Sequence, residues 1–139
     1  MENSLMTLKY HVSPTDFTRA GEASSDVKNT LKKLGVPSTI VRKVAIAMYE
    51  GEINMVIHAQ GGDITVDITP DQIHMVLKDV GPGIADIEKA KEPLFTTKET
   101  EDRAGLGFTI MEVFMDSLKV TSTLGKETKV EMIKKYHES

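Results

Sequence analysis

The chain has 139 residues, is 40% hydrophobic and 27% charged, and carries a formal net charge of −4 at pH 7. These values are typical of one globular unit, so we expect residues 1–139 to form a single domain with its own core. An acidic balance disfavours direct binding to nucleic acid, whose phosphates attract basic surfaces. The sequence contains no cysteine, which excludes disulfide scaffolds, thiolate metal sites and cysteine nucleophiles.

Membrane association is not indicated either. The N-terminus is polar and has no apolar run of signal-peptide length. The longest purely apolar run, residues 44–48, is far too short to cross a bilayer. We therefore expect a cytoplasmic protein.

The first half of the chain predicts one strand and two helices. Apolar residues alternate over residues 6–12, which indicates a strand. Residues 13–34 combine a helix-capping start with apolar spacings of three and four, and residues 35–37 supply the glycine and proline that end the helix. Residues 38–60 predict a second, largely buried helix, which is closed by two glycines at residues 61–62.

The second half predicts two hairpins separated by a long loop. Residues 64–77 alternate on both sides of a turn, and residues 118–132 repeat this pattern. Residues 81–107 are rich in loop formers, with one weak helical turn near residues 85–90, and residues 108–115 predict a short helix. We expect an α+β two-layer sandwich with the helices on one face of a mixed sheet.

A polar pair interrupts the second predicted helix. Glu50 and Asn54 lie at i and i+4, so they share one face about one turn apart. The Asn54 carbonyl oxygen could bind Mg²⁺, and Glu50 could orient or deprotonate a hydroxyl. The alternative is a solvated stripe on a half-exposed helix, which the nearby Glu52 also fits.

Two further motifs place glycine beside a potential ligand site. Asp79 precedes Gly81 and Gly83 at a predicted strand end, where a carboxylate can accept a hydrogen bond from an exocyclic amine and so favour adenine over guanine. Residues 105–107, Gly-Leu-Gly, precede the short helix predicted over residues 108–115, where free backbone N–H groups can hold a phosphate. Each motif alone is more typical of an ordinary turn.

Taken in order, these motifs resemble the Bergerat-type ATP-binding superfamily, which includes gyrase and the histidine kinases. The stretch PLFTTKETEDRAGLGFTIMEVFMDSLKV is similar to the lid and phosphate-loop region of the anti-sigma-factor serine kinases of bacterial sporulation and stress response. EINMVIHA is similar to their magnesium-binding box. The resemblance covers residues 41–134 and implies a Bergerat-type fold.

The resemblance also implies a role for each matching position. Glu50 would be the catalytic residue that activates the attacking hydroxyl, Asn54 would bind ATP and Mg²⁺, and Asp79 would read the adenine. Thr96 falls in the matching lid stretch. The other ATP-binding positions that the resemblance implies are Gly81, Gly83, Thr97, Lys98, Gly105, Leu106, Gly107 and Thr128.

The family implies a homodimeric protein serine/threonine kinase that uses ATP and Mg²⁺ to phosphorylate a small anti-anti-sigma protein and regulates a sigma factor. The sequence departs from the family where Glu127 replaces the usual glycine before Thr128, and where Gly51 and Glu52 interrupt an apolar run. These departures leave open a nucleotide-gated regulatory module without phosphotransfer. A histidine-kinase ATP domain that acts on a separate protein is a third hypothesis.

Overall fold

The computed structural model describes residues 5–13, 19–58, 61–80, 99–123 and 127–137. Its helices and strands are, in chain order, β1 (Met6–Val12), α1 (Glu22–Lys33), α2 (Ser38–His58), β2 (Gly62–Ile68), β3 (Gln72–Val80), α3 (Glu99–Phe114), β4 (Ser117–Thr123) and β5 (Glu127–Lys135). Among these helices, none is long and apolar enough to cross a membrane.

The five described strands form one sheet in the order β1-β2-β3-β5-β4, and every neighbouring pair is antiparallel. The predicted α+β class and both predicted hairpins are confirmed, but the prediction of a mixed sheet is wrong for these strands. The connection through α3 does return β4 parallel to β3. Because the β4–β5 hairpin places β5 between them, those two parallel strands do not pair.

One face of the sheet is buried under the helices, as the sequence predicts. Along β2, buried residues alternate with residues that are at least partly exposed. α2 lies in the middle of the helical layer, because it packs against both α1 and α3. The largest fully buried side chains come from both layers and include Leu31, Met48, Ile64, Ile68, Ile73, Met75, Met111 and Met132.

The predicted first helix is not continuous in the described part of the chain. We predicted a start at Ser13, but α1 begins at Glu22, and Gly21 precedes it with a left-handed φ of 97°. This conformation suits glycine and interrupts a continuous helix. Residues 14–18, which carry the predicted start, lie outside the described residues. The predicted end is confirmed, since Gly35 follows α1 with a φ of 82°.

The third helix begins earlier than predicted. We expected a helix over residues 108–115 opened by Gly105 and Gly107, whereas α3 already begins at Glu99, so both glycines lie inside it. Glutamate, arginine and alanine favour helix in the added turns and offset the cost of the two glycines. The predicted helical turn near residues 85–90 lies outside the described part of the chain.

Candidate functional site

The predicted polar pair on α2 faces the backbone of α3. A Cβ atom added at Gly107 would lie 3.1 Å from Nδ2 of Asn54 and 3.4 Å from Oε1 of Glu50. A Cβ contact of 3.1 Å is tighter than nine in ten real ones. Glycine at this position therefore allows the α3 backbone to approach the pair. Two motifs that lie about fifty positions apart in the sequence meet here in space.

The side-chain amide of Asn54 is buried and unpaired. Neither Nδ2 nor Oδ1 has a hydrogen-bond partner among the described residues. A buried polar group without a partner costs about 1–3 kcal/mol, and a cation bound to Oδ1 would remove part of that cost. Mg²⁺ prefers oxygen ligands and needs few from the protein when phosphates and waters supply the rest. Asn54 therefore fits a magnesium ligand.

Gly51, one of the two departures between the members of the pair, faces the core. A Cβ atom at Gly51 would lie 2.6 Å from Cδ2 of Leu77 on β3 and 3.7 Å from Cε of Met111 on α3. Glycine at this position lets α2 pack closely on the sheet and on α3. The departure at Gly51 thus has a structural reason that is independent of the polar pair.

Glu52, the second departure, holds the start of α1. Its side chain is buried, with 3% of the residue exposed. Its carboxylate accepts backbone N–H bonds from Gly21 at 3.0 Å, Ala23 at 3.2 Å and Ser24 at 3.0 Å. Since helix N-termini carry unpaired N–H groups and a positive dipole end, they stabilise a carboxylate there. The idea of a solvated acidic stripe does not fit Glu52.

Asp79 lies near the end of β3, directly opposite Thr128 on β5. The backbone N–H of Thr128 donates a hydrogen bond to Oδ1 of Asp79 at 2.9 Å. Burial raises the pKa of Asp79, and the nearby charge of Glu127 raises it further, while the Thr128 N–H opposes the shift. One carboxylate oxygen is thus fixed by the neighbouring strand.

On the other side of β3, Asp79 pairs with Gly62 of β2. A Cβ atom at Gly62 would lie 2.2 Å from the carbonyl oxygen of Lys78, 2.6 Å from Cα of Asp79 and 2.8 Å from Cε of Met55. A side chain at this position would displace the backbone of β3. Gly62 therefore allows β2 to pair closely with β3 beside Asp79.

Thr128 is linked to a serine that sequence reasoning missed. Ser122 on β4 lies opposite Thr128, and their hydroxyl oxygens are 3.1 Å apart. The Ser122 hydroxyl also donates a hydrogen bond to the carbonyl oxygen of Glu127, at 3.2 Å. The signal that could have found it is the hairpin register, which places Ser122 in line with Thr128 and Asp79 across three strands.

The remaining predicted positions are placed as follows. Leu106 lies on α3 and is 52% exposed, and Gly105 precedes it within the same helix. Their proposed contact with phosphate remains a prediction. The positions that lie outside the described residues are Gly81, Gly83, Thr96, Thr97 and Lys98.

Comparison with known proteins places this arrangement in a family. Residues 13–134 match the model of the histidine kinase-like ATPase domain. The anti-sigma F factor of Caldanaerobacter subterraneus subsp. tengcongensis is 46% identical over 99 residues, which cover 68% of this chain and 69% of that protein. The anti-sigma F factor of Geobacillus sp. (strain WCH70) is 43% identical over 100 residues, which cover 68% of each protein.

A solved structure supports the fold. A chain in the crystal structure of the SiaB–SiaC complex from Pseudomonas aeruginosa superposes with a TM-score of 0.69 at 9% sequence identity, and the match covers 94% of this chain and 89% of that one. At this identity the likeness concerns the fold alone. With the sequence match extending over most of its length, the chain belongs to the histidine kinase-like ATPase domain family.

Proposed function

We propose that this chain is an ATP-binding, anti-sigma-factor-like serine/threonine protein kinase that phosphorylates a small antagonist protein and regulates a sigma factor. The observation that carries the proposal is the unpaired, buried amide of Asn54 beside Glu50, against the backbone of Gly107. The family of the ATPase domain and relatives named anti-sigma F factor support it.

Asp79 would select the base in this proposal. Its Oδ1 accepts the Thr128 N–H, which orients the carboxylate and leaves the second oxygen as an acceptor. The 6-amino group of adenine is a donor and would pair with that oxygen. The 6-oxo group of guanine is an acceptor, so it would face the carboxylate unpaired, which is a large penalty in a site built for a donor.

Asn54 and Glu50 would act at the phosphate end. Asn54 Oδ1 would hold Mg²⁺, which supplies positive charge to neutralise the phosphates when it is bound. Glu50 would accept the proton of the attacking serine or threonine hydroxyl. The hydroxyl oxygen then forms a bond to the γ-phosphorus, the bond between that phosphorus and the β–γ bridging oxygen breaks, and ADP leaves.

The test is phosphotransfer from ATP labelled in the γ-phosphoryl group to an anti-anti-sigma protein from the same genome. We expect the wild-type chain to label the antagonist on serine or threonine, and Glu50→Gln to bind Mg·ATP within a few-fold of wild type while labelling it at least 100-fold more slowly. Glu112→Gln is the matched control, because Glu112 is exposed on α3. Unchanged labelling by Glu50→Gln would contradict the catalytic role.

A second candidate function is a nucleotide-gated regulatory module without phosphotransfer. The close approach of Gly107 to Asn54 favours it. A ligand that reaches the Asn54 amide would bind at the contact between α2 and α3, so its binding could change how these two helices pack. A ligand shifts a conformational equilibrium only through different affinities for its states. Tight ATP binding by the wild-type chain, together with an antagonist that stays unlabelled by mass spectrometry, would support this function over the kinase.

A further inference from the structure

Three polar side chains form a row across the sheet at the proposed base end of the site. Asp79 on β3, Thr128 on β5 and Ser122 on β4 are direct neighbours in register. Side chains in one such row lie on the same face of the sheet. In this row the Thr128 hydroxyl stands between a carboxylate and a second hydroxyl.

The number of hydroxyl protons indicates which of the two hydroxyls, Ser122 or Thr128, donates the hydrogen bond between them. A serine hydroxyl has one proton and two lone pairs. Ser122 lies 3.2 Å from the Glu127 carbonyl oxygen, which can only accept, and 3.1 Å from the Thr128 hydroxyl. Both contacts are hydrogen bonds only if Ser122 donates to the carbonyl and Thr128 donates to Ser122. The remaining lone pairs of Thr128 then point away from its proton.

We propose that Ser122 is a specificity-determining positioning residue that fixes the Thr128 hydroxyl as a hydrogen-bond acceptor toward the purine base. This inference rests on the proposed ATP-binding function. The site then presents acceptors at both Asp79 and Thr128 to the 6-amino group of adenine, which has two hydrogens to donate. A 6-oxo purine meets acceptors at both positions, and Thr128 cannot turn to donate to it without losing its bond to Ser122.

The test compares the dissociation constants of ATP and ITP, measured by titration calorimetry in the presence of Mg²⁺. ITP carries an oxygen where ATP carries the 6-amino group. We expect Ser122→Ala to lower the ITP/ATP ratio of dissociation constants about tenfold, which is the size of one neutral hydrogen bond. ATP affinity itself should change less than about threefold, because an acceptor remains available at Thr128 in one of its rotamers.

Two further variants separate this role from a purely structural one. Ser122→Thr keeps the hydroxyl and should retain the wild-type ratio. In a Thr128→Val background, Ser122→Ala should have no effect on the ratio, because the hydroxyl that it orients is gone. Thr121→Ala is the matched control, since Thr121 is exposed and lies on the opposite face of the same strand. Ser122→Cys replaces Ser122→Ala if the latter fails to fold.

The outcomes distinguish the inference from the function on which it rests. If the wild-type chain binds ATP and Asp79→Asn weakens that binding, but Ser122→Ala keeps the wild-type ratio, the role of Ser122 is wrong and the ATP site stands. If Ser122→Ala changed the ITP/ATP ratio as much in the Thr128→Val background as in wild type, the positioning role of Ser122 would also be wrong. If the wild-type chain binds neither nucleotide, the proposed function fails and the inference fails with it.

Discussion

The carboxylate of Glu52 accepts the backbone N–H of Ser24 at 3.0 Å, and this bond ties the middle of α2 to the first turn of α1. Its other oxygen accepts two more N–H groups at the same helix start. The residue before the helix, Gly21, makes no side-chain cap. Glu52 therefore replaces, from a different helix, the capping side chain that α1 lacks.

We predict that Glu52→Ala lowers the free energy of unfolding by about 2–4 kcal/mol, because it leaves buried helix N–H groups without an acceptor. Glu52→Gln should cost less, since one amide oxygen can still accept. Urea denaturation measures both. Glu112→Ala, an exposed change on α3, should stay within about 0.5 kcal/mol of wild type. A Glu52→Ala protein as stable as this control would show that the cap is dispensable.

Gly107→Ala should weaken Mg·ATP binding while it leaves the free energy of unfolding nearly unchanged. Alanine favours helix over glycine by about 1 kcal/mol, and this gain opposes the strain of a Cβ atom 3.1 Å from Nδ2 of Asn54. We therefore expect the free energy of unfolding to change by less than about 1 kcal/mol. Mg·ATP affinity should fall about tenfold or more, because a small displacement of a ligand-holding group is costly.

Val113→Ala is the control for this change. It removes a side chain that is 71% exposed on the same helix, so it tests whether any loss of a side chain from α3 affects binding. Titration calorimetry with Mg·ATP and thermal unfolding of both variants give the comparison. Wild-type Mg·ATP affinity in Gly107→Ala would show that nucleotide binding does not depend on the close approach of α3.

The hairpins could be predicted from the sequence because their signal is local. The apolar alternation that runs into β3 predicts the strand and places Asp79 near its end. The bond from Thr128 to Asp79 joins residues that are 49 positions apart. It depends on which strand pairs with β3, and local alternation carries no information about that. The resemblance to a family suggested both residues, whereas Ser122 emerged only from the register.

The helix starts were harder to predict for the same reason. The sequence predicts one continuous helix from Ser13, yet Gly21 interrupts it and α1 begins at Glu22, where a carboxylate from another helix supplies the acceptor. Such a tertiary cap leaves no mark near the helix that it stabilises. At α3 the two glycines suggested a helix start, but one of them serves a close helix–helix contact instead.

Asp79→Asn should raise the stability of the ligand-free protein at neutral pH while it weakens ATP binding at least tenfold. Burial raises the pKa of Asp79 above its ordinary value of 3.8, so the folded state disfavours the charged form. The folded state then holds a proton that the unfolded state releases, and wild-type stability rises as pH falls through the folded pKa toward 3.8. Asparagine is neutral at every pH and lacks this dependence.

The measurement is urea denaturation of the wild type and Asp79→Asn between pH 7 and pH 4. The stability advantage of the variant should be largest at pH 7 and should shrink as the pH is lowered. Asp71→Asn, at an exposed turn position, controls for the loss of one negative charge. If the stability advantage of Asp79→Asn grew as the pH was lowered, the pKa of Asp79 would not be raised in the folded state.

Glu131 should show the opposite dependence on pH. A hydrogen bond from His74, at 2.9 Å, is the main cause that holds its pKa below the ordinary 4.5, and Lys129 and Lys119 lower it further. The ionised carboxylate thus stabilises the folded state above pH 4.5, and this contribution is lost as the pH falls through the lowered pKa. Glu131→Gln should be less stable than wild type at pH 6, and the difference should shrink below pH 4.5. Glu112→Gln, an exposed change on α3, is the control in urea denaturation, and a difference that stays constant down to pH 3 would rule out the ionic contribution of Glu131.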